Sequence, residues 1–184
     1  MSRPRVAIRP VRLEDVSALT ALYVAQRDFL APFEPERDAT FFTRSGQAKL
    51  LERAITLRVA GFAERFLILA DDEPAGVLAV NNIVRGVSQS ATIGYFVAEE
   101  HNGNGIATRA VGHVSDWAFA TVGLHRLEAG TLTANTASQR VLERNGFTRI
   151  GVAQRYLRIA GAWQDHVLFQ LLAEDHRRAG GATA

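Results

Sequence analysis

Across residues 65–97 the apolar side chains fall in short runs bounded by polar turns, the pattern of extended chain, and from residue 104 they follow the period of 3.6 that marks a helix. The change falls within Asn102-Gly103-Asn104-Gly105-Ile106-Ala107. Nothing else in the chain constrains its fold as much. Arg65 to Ala70, Ala75 to Val84 and Ala91 to Val97 read as strands, separated by polar turns at Asp71-Asp72-Glu73-Pro74 and Arg85 to Ser90. Three strands joined by short turns form an antiparallel meander. The helix that follows, Asn104 to Thr121, gathers Ala107, Ala110, Val111, Val114, Trp117 and Ala118 on one face and leaves His113 and Asp116 on the other.

The flanking segments extend this pattern. Val6 to Arg9, closed by Pro10, predicts a first strand. Val16, Leu19, Leu22 or Tyr23, and Gln26 predict a first helix, with Glu14 and Asp15 in its first turn, where the helix dipole favours acids. Phe29 to Phe42 holds Pro32, Pro35 and the aromatic residues Phe29, Phe33, Phe41 and Phe42, and reads as an ordered loop. Ala48, Leu51, Ile55, Val59 and Phe62 mark a second amphipathic helix. Arg126 to Leu132 is a strand, Thr136 to Asn145 a short helix, and Phe147 to Leu172 a closing strand pair broken near Ala160-Gly161. The expected class is α+β, a single domain over residues 1–175 with a mixed, mostly antiparallel sheet flanked by helices. Residues 176–184 are expected to be a frayed polar tail.

Composition narrows the chemistry. The 184 residues suit one domain, and 47% apolar with 22% charged residues is the balance of a folded chain. With no cysteine, disulfide scaffolds, cysteine-ligated zinc and thiol nucleophiles are all excluded, and no metal site is assigned. The net charge is +2, and its basic and acidic residues interleave, so no basic stripe of a nucleic-acid binder is present. No apolar run reaches the ~18 residues of a membrane span, and the Met1-Ser2-Arg3-Pro4 start does not read as a signal peptide. A cytoplasmic protein is expected, either monomer or homodimer.

Glycines before a helix remove the β-carbons that would block an anion, and the helix start leaves N–H groups unpaired. Gly103 and Gly105 therefore suit a phosphate or pyrophosphate; a plain turn is the alternative that the sequence leaves open. Ile106-Ala107 stands where a P-loop needs Lys-Ser or Lys-Thr. Arg109 stands where the dinucleotide fingerprint has its third glycine, and the strands before it are antiparallel, which disfavours nicotinamide cofactors. Further on, Asn135 suits a helix N-cap and Gly146 a left-handed helix end. Asn135 and Ser138 either do only that or also face a ligand between the neighbouring strands.

At these residues the chain resembles the GCN5-related N-acetyltransferase (GNAT) superfamily, and within it the RimJ/RimL group of ribosomal-protein N-terminal acetyltransferases. Asn102 to Ala107 matches the Gln/Arg-x-x-Gly-x-Gly/Ala cofactor motif with Asn102 in the first place. Arg27-Asp28-Phe29-Leu30-Ala31-Pro32-Phe33-Glu34-Pro35, Asn82-Ile83-Val84-Arg85-Gly86 and Trp163-Gln164-Asp165-His166-Val167-Leu168 carry the similarity to the RimJ branch. The resemblance implies acetyl-coenzyme A as cofactor and a sheet whose middle strands part to admit the pantetheine arm. It implies that Tyr95, Phe96 and Val97 offer main-chain groups to that arm, that Asn102, Gly103, Asn104, Gly105, Ile106, Ala107 and Thr108 hold the pyrophosphate, and that Asn135 and Ser138 face the arm and the sulfur.

Acetyl transfer to an amine needs a neutral nucleophile, stabilisation of the oxyanion and a proton for the thiolate. Many family members carry a tyrosine acid four residues after the serine; here that position is Leu142, and Ser138 becomes the expected donor. Candidates for the base are Glu128, Asp165, His166 and Glu34, with Glu128 the catalytic assignment. Phe33, Glu34, Arg85 and Asp165 are expected at the acceptor mouth, formed by the loop 29–42 and the turn 81–90. The expected acceptor is a protein N-terminus, possibly of a ribosomal protein. Two alternatives are a small amine and an acyl-coenzyme A-binding regulator without turnover.

Overall fold

The computed structural model describes residues 3–181. Seven strands form one sheet in the order β1-β2-β3-β4-β5-β7-β6. They are β1 (Val6–Pro10), β2 (Glu64–Ala70), β3 (Glu73–Val84), β4 (Ser90–Val97), β5 (Arg126–Leu132), β6 (Thr148–Ile159) and β7 (Ala162–Leu172). All neighbours are antiparallel except β4 and β5, which run parallel. The mixed, mostly antiparallel sheet of the sequence reading is present.

That parallel pair is short. It is closed over only three rungs, Ser90↔Arg126, Ala91↔Leu127 and Thr92↔Glu128. From Ile93 to Val97, β4 keeps β3 as a neighbour on one side and has no strand on the other. The sheet is thus parted from its middle to one end.

Two helical layers cover the sheet. The helices α1 (Val16–Ala25) and α3 (Arg44–Val59) pack on one face through Leu19, Leu22, Leu51, Leu67 and Val77. On the other face lie α4 (Ile106–Asp116) and α5 (Thr136–Arg144), with Ile106, Val111, Val114 and Leu142 buried against Phe66, Leu78, Ile93 and Phe169. Each such aliphatic side chain contributes ~1.5–3 kcal/mol by leaving water. Among the described residues no helix is long and apolar enough to cross a membrane.

Several elements depart from expectation for identifiable reasons. The first hairpin turns on Asp71 and Asp72 alone, both at positive φ, and β3 already begins at Glu73. Pro74 pairs with Leu69 beside the register shift between Ile68 and Leu69, an irregularity of the kind where strands accept proline. The loop 29–42 contains helical turns: α2 (Arg27–Leu30) at its start and a 3₁₀ turn at Ala39–Phe42 capped by Asp38, which accepts the Phe41 N–H at 3.1 Å. Phe62 lies beyond α3, because Gly61 at φ +75 ends the helix, and both Val59 and Phe62 are exposed. The expected long helix stops as α-helix at Asp116 and continues as a π turn through Thr121. The tail is helical rather than frayed: α6 (Ala173–Gly181) rests on α4 through His176 Nε2, 2.7 Å from Asp116 Oδ1, and through its ring on Phe119. Residues 182–184 of that expected tail, like Met1 and Ser2, lie outside the described residues.

One glycine holds the parted strand in place. Gly76 faces Val97 across β3 and β4, and a β-carbon there would sit 2.2 Å from the Phe96 carbonyl oxygen. Backbone cannot yield as a side-chain tip can, so Gly76→Ala is expected to cost about 2–3 kcal/mol and lower the Tm by ~5–10 °C. A melt within ~2 °C of wild type would show that β4 shifts freely.

Candidate active site

The gap between β4 and β5 opens into a cavity of about 480 Å³. Its walls come from β4 (Tyr95, Phe96, Val97), the glycine loop, the first turn of α4, the start of α5 (Asn135, Ser138) and the loop after α1 (Phe29, Leu30, Phe33). The cavity passes from the α4/α5 side of the sheet to the side of the 29–42 loop.

At the loop end, Gly103 and Gly105 take left-handed φ of +78 and +74. The first helical hydrogen bond of α4 is Arg109 N–H to the Gly105 carbonyl, 3.1 Å. The N–H groups of Ile106, Ala107 and Thr108 are therefore the unpaired donors of the helix start and carry the positive end of its dipole. Arg109 Nη2 bonds the Asn104 carbonyl at 3.0 Å and braces the loop from below. Asn104 itself is not among the lining residues; its Nδ2 reaches the His101 carbonyl at 3.4 Å. Arg140 and Arg144, one turn apart on α5, add two cations to the same wall. Neither was picked out from sequence, although their i,i+4 spacing opposite buried Leu142 places them together on the outer face of α5.

Deeper in, Asn135 Oδ1 accepts the Ser138 N–H at 3.0 Å and caps α5. The Tyr95 hydroxyl lies 3.0 Å from Ser138 Oγ and 3.2 Å from the Ser138 carbonyl. Burial pushes the Tyr95 phenol up to about 12, against the downward pull of its hydrogen bond to Ser138. It stays a proton donor at any physiological pH. Leu142 is fully buried in the core, so no residue there could reach the cavity without rotating α5. A phenol nevertheless arrives at the serine, from β4. Alternation along β4 places Tyr95 on the α5 side and could have pointed to it, but the sequence reading used only its main chain.

The remaining expected residues sit elsewhere. Glu128 occupies the last closed rung of β4/β5, is about 40% exposed and lies 3.5 Å from Arg126. It is outside the cavity wall. Glu34 lines a second hollow of about 330 Å³ beside Tyr23 and Arg37, and its carbonyl accepts the Ala160 N–H at 3.0 Å, tying the 29–42 loop to the β6–β7 turn. Arg85 stands in the β3–β4 turn, at the closed end of the gap, and donates to the Val122 carbonyl at 2.9 Å. The turn lies beside the closed rungs, at the opposite end of β4 from the glycine loop. Asp165 accepts the Arg155 N–H at 2.8 Å, where β6 bulges and Arg155 takes φ +48. It shapes the hairpin. Among the described residues there is no group of three acidic or histidine side chains placed to hold a metal.

A sheet parted in its middle, with free main-chain edges in the gap and an anion-binding helix start at its mouth, is the N-acyltransferase fold of enzymes that use acyl-coenzyme A. Comparison with known proteins agrees. Residues 5–148 match the acetyltransferase (GNAT) domain family. The probable N-acetyltransferase YjcK of Bacillus subtilis (strain 168) is 35% identical over 180 residues, 92% of this chain and 95% of the relative. The [ribosomal protein uS5]-alanine N-acetyltransferase of Escherichia coli (strain K12) is 32% identical over 177 residues, 95% of this chain and 91% of the relative. Among solved structures, Mycobacterium smegmatis RimJ in complex with CoA-disulfide superposes with a TM-score of 0.90 at 34% identity, covering 97% of this chain and 89% of that one. The chain belongs to the GNAT acetyltransferase family, and it is an acetyl-coenzyme A-dependent N-acetyltransferase.

Proposed function

We propose that this enzyme acetylates the N-terminal α-amino group of a protein in the cytoplasm, with a ribosomal protein as its first-choice acceptor. On this reading the Gly103–Thr108 segment holds the pyrophosphate, the free edge of β4 from Ile93 to Val97 pairs with the amide-rich arm as an added strand, and Arg140 and Arg144 meet outlying phosphate. Ser138 sits where the sulfur would end. The observation that supports the assignment is the through-sheet gap itself: donor and acceptor can enter from opposite faces and meet without a covalent enzyme intermediate. The relative that acetylates uS5 at alanine supports the choice of acceptor.

Incubation with acetyl-coenzyme A and peptides that begin with alanine or serine is expected to release thiol and to acetylate the α-amine, as read by mass spectrometry. Blocking the N-terminus with a formyl group should abolish release. Thiol released only with polyamines or aminoglycosides would transfer the enzyme to the small-amine class; binding of acetyl-coenzyme A with no release for any acceptor would make it a regulator.

A further inference from the structure

The closed rungs of β4 and β5 end at Thr92↔Glu128, and counting on by two places Gly94 against Gly130 as the strands diverge. Both are exposed. By the alternation of β4, Gly94 faces away from Tyr95 and hence away from α5, and a β-carbon on it would meet nothing within 4 Å. The sheet is thus bare backbone at the root of the gap, on the face opposite to α4 and α5.

One side of that bare patch is built up. A β-carbon on Gly130 would lie 3.7 Å from His166 Cδ2 and 3.7 Å from Tyr156 Cε1. His166 is 3% exposed, and its ring stands edge-on to Tyr156 with centroids 5.7 Å apart. His166 Nδ1 is 3.0 Å from the Gln164 carbonyl oxygen. A carbonyl can only accept, so Nδ1 carries the hydrogen and Nε2 of the neutral ring keeps its lone pair. Nε2 makes no hydrogen bond to the described residues. It adjoins Cδ2, the ring edge turned to Gly130. A nearly buried imidazole with its tautomer fixed from behind, and with its free nitrogen beside the one bare stretch of sheet at the gap, has the form of a proton acceptor awaiting a partner.

We propose that His166 is the catalytic base, taking the proton from the acceptor amine at the Gly94/Gly130 patch, with Tyr156 as the aromatic wall of the acceptor subsite. The amine nitrogen bonds to the acyl carbon, and the carbon–sulfur bond breaks. Before the carbon–nitrogen bond forms, the ammonium gives one proton to His166 Nε2, which returns it to solvent; the leaving thiolate takes the Ser138 hydroxyl proton, and the second proton shed by the acylated nitrogen restores that hydroxyl. Products are the acetamide and free thiol. This rests on the α-amine reading of the acceptor. Glu128, on the same face but held by Arg126 at the closed rung, is the rival.

The test compares two acceptors in His166→Asn, which keeps a donor to the Gln164 carbonyl and removes Nε2. Transfer to an alanine-initiated peptide, whose amine is largely protonated at pH 7, is expected to fall ~100-fold in kcat/KM. Transfer to hydroxylamine, already neutral at that pH, is expected to change less than threefold, and coenzyme A affinity should be unaltered. If His166→Asn melts early, His166→Gln fills the volume, and the same split is expected. Equal loss with both acceptors would make His166 a structural residue and overturn the proposal. So would full activity in His166→Asn, or a large loss in Glu128→Gln without one at His166. Wild type that releases no thiol with any α-amine would instead defeat the acceptor assignment.

Discussion

Gly105→Val is expected to weaken coenzyme A binding about 100-fold by calorimetry while lowering the Tm by only a few degrees. The residue precedes α4 at φ +74, where an L side chain costs ~1–2 kcal/mol and a β-branched one sits worst. A β-carbon there would meet no protein atom within 4 Å, so steric conflict inside the fold adds nothing. At ~2–4 °C per kcal/mol the stability loss stays small. Binding suffers more. The valine either occupies the space in front of the Ile106, Ala107 and Thr108 N–H groups or turns the loop and their direction with it. Each hydrogen bond to a charged group is worth ~1.5–3 kcal/mol, and each 1.4 kcal/mol is tenfold in affinity, so loss of two such bonds accounts for the factor. An unchanged Kd would mean that the diphosphate sits elsewhere, and the reading of the α4 start would fail.

The same loop shows why some of this site could be read from sequence. Short apolar strands bounded by polar turns, a glycine pair and a period-3.6 helix are local properties, written in consecutive residues, and Gly103, Gly105 and the Ile106–Thr108 turn follow from them directly. Asn135 as a cap and Ala160-Gly161 as a hairpin turn are equally local. The parted sheet came from the family resemblance; no local pattern states that β4 and β5 close over three rungs only.

Other contacts depend on what the fold brings together. Arg85 is expected at the acceptor mouth from its place in a polar turn, yet its guanidinium ends on the Val122 carbonyl 37 residues away. Asp165 stands between Gln164 and His166 in the chain, and a bulge across the hairpin uses its carboxylate. The tail has little to bury by composition, and one histidine reaching Asp116 docks it all the same. His166 is a candidate base by sequence; that it is satisfied at one nitrogen only is a fact of β5, β6 and β7 together. A pattern of residue types cannot distinguish a committed side chain from a free one until its neighbours are placed.

Tyr95 illustrates the point with the largest consequence for rate. Ser138→Ala is expected to lower kcat by ~10²–10³, because the departing thiolate then loses its positioned donor. Tyr95→Phe is expected to lower it only ~10-fold: the phenol reaches the sulfur through Ser138 and acts by orienting and polarising that hydroxyl. In the Ser138→Ala background the second change should add less than threefold, since the group through which it acts is gone. Losses that multiply in full would place the two hydroxyls on separate tasks and break the relay. The phenol also leaves a signature independent of turnover. Its pKa is raised from near 10 to about 12 by burial, so it contributes stability that is fully present below pH 10 and is lost as pH climbs towards 12. Tyr95→Phe should remove that alkaline decline from the unfolding curve. Ser138→Ala, which deletes the hydrogen bond that lowers the phenol's folded-state pKa, should leave the onset of the decline near pH 10 and extend it to still higher pH.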